Sequence, residues 1–465
     1  MKIEEFKCYL PIEIKARELD SRLYLAMSLA QKGFKVVIGK KSGVNRHMFS
    51  QNKNFIYFDK GISPGERSFY KAIKAANGII VGIREEGIFN NFDINVKEFI
   101  DTYDNSCAEL FSLFFIWGDR SKEIMEKHCP KIDKDKLIVT GHPSLDLLKE
   151  NLIGYYYKLR ELNYKVLPGY ILINTNFSRI NGYLNFDRIK IFNYKNEKLF
   201  NTKFKKEFDV GRKYEEIVFV EFSNMIESLA KSFPEKNIVI RPHPVENLKI
   251  YQDKFEEFKN VQVIREGSSK EWIVGAEAII HHDCTTGVES FFAKKHVISF
   301  SPFENESLTA NLPQEVSMKF SNINELIDYI KNGYTLKSVD PIKKREEMIL
   351  VLKKIIDNVD SNATIKISKC LENLCSKIGS NNSNIFNQNF YFAKYKLENL
   401  IFKIKMKLRG KNIKDQEMQV NQRSKFEYLK KKEVIDRLNI LSNLLNINET
   451  YMVDELEMDT FLIRK

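Results

Sequence analysis

The sequence predicts an α/β protein built from two doubly wound, Rossmann-like domains. Short apolar runs alternate with segments of helical period, which is the pattern of a parallel sheet covered on both faces. That alternation pauses near residues 152–168 and then begins again. The chain has 465 residues, room for two or three domains at about 150 residues each.

The elements follow in order. Residues 7–12 read as a strand. Residues 16–31 place Leu19, Leu23, Ala26, Leu29 and Ala30 on one helical face, and Gly33 ends that helix. Further strands are expected at 34–39, 55–58, 78–83, 113–117 and 137–140. After the turn at Pro168-Gly169 the second series runs 170–174, 237–240, 261–264, 278–280 and 297–300. The domains expected are 1–155, 165–335, a helical return at 336–380 and a basic amphipathic helical tail at 385–465. Residues 177–213 are long and polar for a connection, which suits a lid, an acceptor loop or a plain surface insertion.

Composition excludes several classes. With 43% hydrophobic and 12% aromatic residues the chain is not a disordered one. No run reaches the ~18 apolar residues of a membrane span, and no apolar stretch follows the first charges as in a signal peptide. The six cysteines form no Cys-x-x-Cys pair, so neither a zinc site nor a disulfide framework is expected. These features point to a reduced, cytoplasmic protein.

The net charge of +12 is uneven. Residues 391–432 hold 13 Lys and Arg against 4 Asp and Glu. Aromatic and aliphatic side chains interleave with the lysines there, so a helix would carry an apolar stripe flanked by ammonium groups. That suits an anionic membrane surface, here the inner face of the cytoplasmic membrane. A solvated helix packed on its own domain is the plain alternative. No nucleic-acid motif accompanies the charge, so no nucleic-acid partner is expected. The acidic stretch 449–459 is expected to fold back on this basic segment.

Two loops carry the candidate chemistry. Arg241-Pro242-His243-Pro244-Val245-Glu246 follows a strand, with prolines fixing the backbone around one histidine. Arg241 and His243 are donors suited to a phosphate. His281-His282-Asp283-Cys284-Thr285-Thr286-Gly287-Val288-Glu289 follows another strand and opens a helix, whose free N–H groups suit an anion. Thr285 and Thr286 add hydroxyls, and Glu289 is placed to accept from ribose. Adjacent His281 and His282 point to opposite faces of a strand, so no metal site is expected. The single Asp-x-Asp, Asp133-Lys134-Asp135, reads as a surface turn.

This pairing of an Arg-Pro-His-Pro loop with a later Thr-Thr-Gly-x-Glu helix start resembles the donor half of GT-B glycosyltransferases. The likeness is to the bacterial surface-carbohydrate biosynthesis family, similar to sialyl-, Kdo- and related nonulosonic-acid transferases that use CMP-sugars. Lys15-Ala16-Arg17-Glu18-Leu19-Asp20, Arg84-Glu85-Glu86-Gly87, Phe115-Ile116-Trp117-Gly118, the 140–148 stretch with His142, and Asn174-Thr175-Asn176-Phe177-Ser178 agree with it. One departure is Gly141-His142-Pro143-Ser144, where the family pattern reads Gly-Asn-Pro-Arg. The resemblance implies a GT-B fold, two Rossmann-like domains facing across a cleft. It implies a metal-independent glycosyltransferase with a CMP-activated sugar as co-substrate and a glycan, lipid-linked or glycoprotein acceptor.

The donor nucleotide would meet Arg241, His243, Pro244, His282, Thr285, Thr286, Gly287, Glu289, Asn174 and Asn176. Glu86 or Glu85 would be the general base, one of the two raised toward neutrality by its neighbour. Glu18 and Asp20 are in reserve, and Arg17, Glu18 and His142 lie toward the acceptor. The alternatives are a CDP-glycerol-type polyol-phosphate transferase, whose usual Asp-Tyr-Ser-Ser second loop is lacking, a UDP-sugar 2-epimerase, and a non-catalytic scaffold.

Overall fold

The computed structural model describes residues 3–50, 54–63, 65–85, 87, 103–165, 167–182, 205–303, 311–377, 385–408 and 426–465. They form two units, Met1–Tyr155 with Lys353–Lys465, and Tyr156–Leu352. Each is a doubly wound Rossmann-like α/β domain, as the sequence predicts.

The first unit contains β1 (Lys7–Ile12), β2 (Lys35–Lys40), β3 (Phe55–Asp59), β4 (Gly78–Ile83), β5 (Leu113–Ile116) and β6 (Leu137–Val139), all parallel. β3 and β4 are buried along their whole length, and so is β1 beyond Lys7, because helices cover both faces. The chain passes from β1 to β2 on one side and to β3 on the other, so the winding reverses at β1 and β3.

The unit closes with β13 (Met452–Glu457) and β14 (Thr460–Arg464) from the far end of the chain. β14 runs antiparallel to β2 and β13 to β14, giving the order β13-β14-β2-β1-β3-β4-β5-β6. Gly39 adopts φ of +147°, and a Cβ there would sit 2.0 Å from the Asp459 carbonyl oxygen. Only glycine admits the hairpin this close. The Lys431–Leu444 helix packs on the Lys15–Gln31 helix, where Arg437 bonds Asp20 and Tyr155 donates to Asp20 at 2.7 Å.

This corrects the expected helical tail. Residues 426–465 form a helix and a hairpin that complete the first sheet. Acidic side chains at Asp454, Glu455 and Glu457 dilute the strand pattern, and the partner strand lies over 400 residues away, so no local signal announces the pairing. Among the described residues the acidic stretch pairs with Arg46, Arg464 and Lys465, and it meets the 391–432 segment at Asp459, whose carboxylate accepts from the Leu429 N–H at 2.7 Å.

The second unit has the parallel strands β7 (Tyr170–Asn174), β8 (Ile238–Arg241), β9 (Val261–Val263), β10 (Ala276–His281), β11 (His296–Phe300) and β12 (Met318–Phe320), in the order β12-β11-β10-β7-β8-β9. β12 has only three residues and escapes a periodicity reading. One face of the sheet packs on Val218, Phe222, Met225, Ile226 and Leu229 of the Lys205–Ser232 helix. Much of the 177–213 insertion lies outside the described residues.

Candidate functional site

In the second unit the chain starts at β7, moves out through β8 and β9, and returns to the other side of β7 as β10. Ligands of doubly wound folds bind at the carboxyl ends beside such a reversal. Asn174, the last residue of β7, pairs in register with Arg241 of β8 on one side and His281 of β10 on the other. With strands about 4.8 Å apart, the 241–246 and 281–289 loops leave the sheet about 10 Å from each other. Both open at one edge.

His243 is held by a residue outside the expected set. Glu246 is fully buried and accepts hydrogen bonds from the His243 backbone N–H at 3.1 Å, Thr175 Oγ1 at 2.9 Å, Tyr251 OH at 2.5 Å and Asn181 Nδ2 at 3.4 Å. Burial pushes its carboxyl pKa up, against those donors. The His243 ring accepts from the Val245 N–H through Nδ1 at 3.4 Å, which leaves its hydrogen on Nε2. Pro242 is buried and Pro244 exposed, so the turn is anchored at one shoulder only. The spacing His243-x-x-Glu246 is that of a side chain reaching back to a turn's free N–H, a signal the sequence does contain.

Several expected donor contacts are engaged elsewhere. Arg241 donates to the carbonyls of Glu266 at 2.7 Å and Gly267 at 2.5 Å, so its guanidinium ties down the loop after β9. His282 is buried, with its Nδ1 3.3 Å from the Phe300 carbonyl and its ring stacked over Phe177 at 5.8 Å. Burial lowers its pKa, and it is a packed core histidine rather than a presented one. Glu289 pairs with Lys270 at 3.1 Å and accepts from Ser269 Oγ at 3.1 Å.

Thr286 Oγ1 accepts from Asn174 Nδ2 at 3.0 Å and donates to Cys284 Sγ at 3.1 Å, so both its roles are filled within the loop. Asn176 Nδ2 donates to the Asp283 carbonyl at 3.3 Å, and Gln314 Nε2 to the Asp283 carboxylate at 2.6 Å. Gln314 follows a stretch without local pattern and has no sequence signal. Thr285 is exposed. Gly287 lies so close to His281 that a Cβ would stand 2.4 Å from its Nε2. Within the expected set, His243, Thr285 and the exposed Pro244 lie in the two loops at this edge, with Asn174, Asn176 and Thr286 shaping the loop beneath.

His281 ends β10 fully buried, its Nε2 2.9 Å from Ser317 Oγ. Burial, with His282 beside it, lowers its pKa to about 3. The unfolded chain takes up this proton near the ordinary histidine pKa of about 6.5, and the folded chain does not until far lower pH. The stability linked to His281 is therefore complete above the unfolded pKa and is lost as pH falls toward the folded one. Urea titrations from neutral to mildly acidic pH are expected to show this. His281→Gln should flatten the pH slope of stability by up to about 1.4 kcal/mol per pH unit; an unchanged slope would contradict it.

The first unit gathers a second cluster, also at carboxyl strand ends. Arg22 Nη2 lies 2.6 Å from Glu85 Oε1, and His142 Nε2 lies 3.4 Å from Glu85 Oε2. His142 stacks on Trp117 at 4.7 Å and 12°, and Trp117 Nε1–H donates to the Arg84 carbonyl at 2.8 Å. Ser144 Oγ is 2.6 Å from His142 Nδ1. Glu18 accepts from the backbone N–H of Glu13 at 3.0 Å and Ile14 at 3.1 Å and pairs with Lys60 at 2.6 Å. Arg17 is half-buried on the same helix, and Asp20 is taken by Arg437 and Tyr155.

Of the expected carboxylate pair, Glu85 is the described member. Burial alone would raise Glu85, but Arg22 and His142 outweigh it and hold Glu85 well below the usual carboxylate range. Glu18 is raised, through burial and the charge of Glu85. Arg22 and Glu85 are 63 positions apart, so nothing local predicts the pair. Glu18 caps its helix. Glu86 lies outside the described residues.

No family model and no curated protein matches the sequence. Solved structures do. A variant of the wall teichoic acid polymerase TagF soaked with CDPG aligns over 80% of this chain and 88% of its own, at 11% identity and a TM-score of 0.47. UDP-GlcNAc 2-epimerase from Neisseria meningitidis, bound to UDP-GlcNAc, aligns over 80% and 99%, at 15% identity and a TM-score of 0.45. The UDP-GlcNAc 2-epimerase of Methanocaldococcus jannaschii, with UDP-GlcNAc and UDP, aligns over 75% and 99%, at 13% identity and a TM-score of 0.39.

Proposed function

We propose that the chain is a glycosyltransferase that moves a nonulosonic acid from a CMP-activated donor to a hydroxyl of a bacterial surface glycan. The observation that carries the reading is the His243 turn, held by Glu246 at the carboxyl edge beside the β7–β10 reversal. A rigid donor at that place suits a phosphate on which charge builds. Charge favours CMP as the leaving group. Among the described residues of this edge, Arg241 is committed to the Glu266 and Gly267 carbonyls, Lys270 to Glu289, Arg265 to the Glu246 carbonyl and Arg179 to Glu215. With these cations committed, the edge matches one phosphate better than a diphosphate.

In the proposed step the anomeric carbon–oxygen bond breaks and CMP departs with the electron pair. His243 donates its Nε2–H to the departing phosphate, with the exposed Thr285 hydroxyl in support. The acceptor oxygen forms the new bond, and its proton passes to a general base. Glu85, both of whose oxygens are occupied, serves as a fixed anion that orients His142 and Arg22. The step calls for no metal.

A panel of CMP-nonulosonates, UDP-sugars and CDP-glycerol, followed by nucleotide release and product mass, tests this. Release of CMP with a nonulosonate added to the acceptor is expected. A mass gain of glycerol phosphate would replace the reading with polyol-phosphate transfer, and epimerised UDP-sugar without acceptor would replace it with epimerisation.

A further inference from the structure

The Ile385–Leu408 helix has two faces with different surroundings. Its inner face packs on the first unit. Phe392 stacks on Phe49 at 4.1 Å, Tyr395 meets Phe69 at 5.1 Å, and Glu398 accepts from Ser68 Oγ at 3.1 Å. Its outer face is apolar and open. Phe390 is 56% exposed, Leu397 56%, Leu400 53%, Ile401 42% and Ile404 47%. At 100° per residue these five fall within one stripe about 100° wide, opposite Phe392 and Tyr395.

The charge on the borders identifies what such a stripe meets. Lys394 lies along one side of it and Lys396 along the other, both exposed, with the Lys396 ammonium resting 4.3 Å from the Phe392 ring centre. In the sequence this helix carries five lysines and a single glutamate. An apolar stripe edged by ammonium groups on both sides lies in the plane of an anionic bilayer surface. The apolar residues sink to the acyl boundary and the lysine heads reach the phosphates. A second copy of the helix would instead bring lysines against lysines. No helix among the described residues is long and apolar enough to cross a membrane, so the mode is attachment from one side.

We infer that the outer face of the Ile385–Leu408 helix docks the first unit onto an anionic phospholipid surface. The contact rests on Phe390, Leu397, Leu400, Ile401 and Ile404, with Lys394 and Lys396 selecting acidic headgroups. It narrows the basic segment to one helix face and does not depend on the transferase reading.

Flotation of the full chain with vesicles tests it. Vesicles of phosphatidylglycerol and phosphatidylcholine in equal parts should carry the protein up the gradient, and pure phosphatidylcholine should not. The double variant Leu397→Glu, Ile401→Glu should lose about tenfold or more of the binding with unchanged circular dichroism, because both side chains already face water. Lys394→Glu with Lys396→Glu should weaken binding most at low salt. Equal recovery on both vesicles, full binding by the Leu397→Glu, Ile401→Glu protein, or a concentration-dependent dimer that this variant abolishes while lipid binding is absent would each overturn the inference. So would preferential binding of RNA over the acidic vesicles.

Discussion

His243→Ala is expected to lower kcat for transfer by about a hundredfold to a thousandfold, the usual effect of removing one preorganised donor at a site of developing charge. KM for the donor should change far less, because the ring's hydrogen bond strengthens only as the phosphate gains charge. Glu246→Ala should reproduce much of this effect without touching substrate. It strips the His243 N–H of its acceptor and leaves Thr175, Tyr251 and Asn181 without theirs. Unmet buried donors cost about 1–3 kcal/mol each, so this variant should also melt earlier. Steady-state kinetics and a urea titration on both proteins separate the two cases. His243→Ala should keep wild-type stability, and Glu246→Ala should lose both. Unaltered kcat in His243→Ala would remove the basis of the donor assignment.

Phe461→Ala is expected to cost about 3–5 kcal/mol of stability in the first unit, the range for a fully buried phenylalanine. Phe461 lies in β14, is 0% exposed, and sits in register with Ile38 of β2. Met458, one turn away and 67% exposed, is the control, and Met458→Ala should change little. Two domains license two unfolding transitions. The substitution should therefore move the transition of Met1–Tyr155 with Lys353–Lys465 and spare that of Tyr156–Leu352. Hydrogen exchange can assign each transition to its strands. Movement of both together, or of neither, would contradict the placement of the hairpin.

Much of this architecture is legible in the chain because parallel strands are buried on both faces and read as unbroken apolar runs. β1, β4 and β7 have the bounds their composition predicts. The Arg241-to-Glu246 and His281-to-Glu289 loops are legible too, since prolines, hydroxyls and a glycine punctuate the ends of strong strands.

What is illegible are partners far apart in sequence. Arg241 looks like a phosphate ligand until Glu266 and Gly267 are seen to occupy it. Glu85 looks like half of an acidic pair until Arg22 and His142 fix its charge. His282 looks like a donor contact, yet it is buried and stacked on Phe177. In each case the residue type is right for the chemistry, and a tertiary contact has claimed the functional group. Periodicity has no access to such contacts. β14 is the same problem at the scale of a strand, because its apolar alternation acquires meaning only beside β2.

That hairpin also sets the order in which the molecule can be assembled. During synthesis β1 to β6 emerge first, yet the open side of β2 waits for Thr460–Arg464. The Tyr156–Leu352 stretch has all its strands in one contiguous piece and can mature meanwhile. Until residues 460–464 leave the ribosome, a nascent molecule carries an unpaired, apolar ladder edge able to recruit another chain. A premature stop before Thr460 would thus spare the Tyr156–Leu352 unit and leave a sticky, half-finished partner, a liability for quality control.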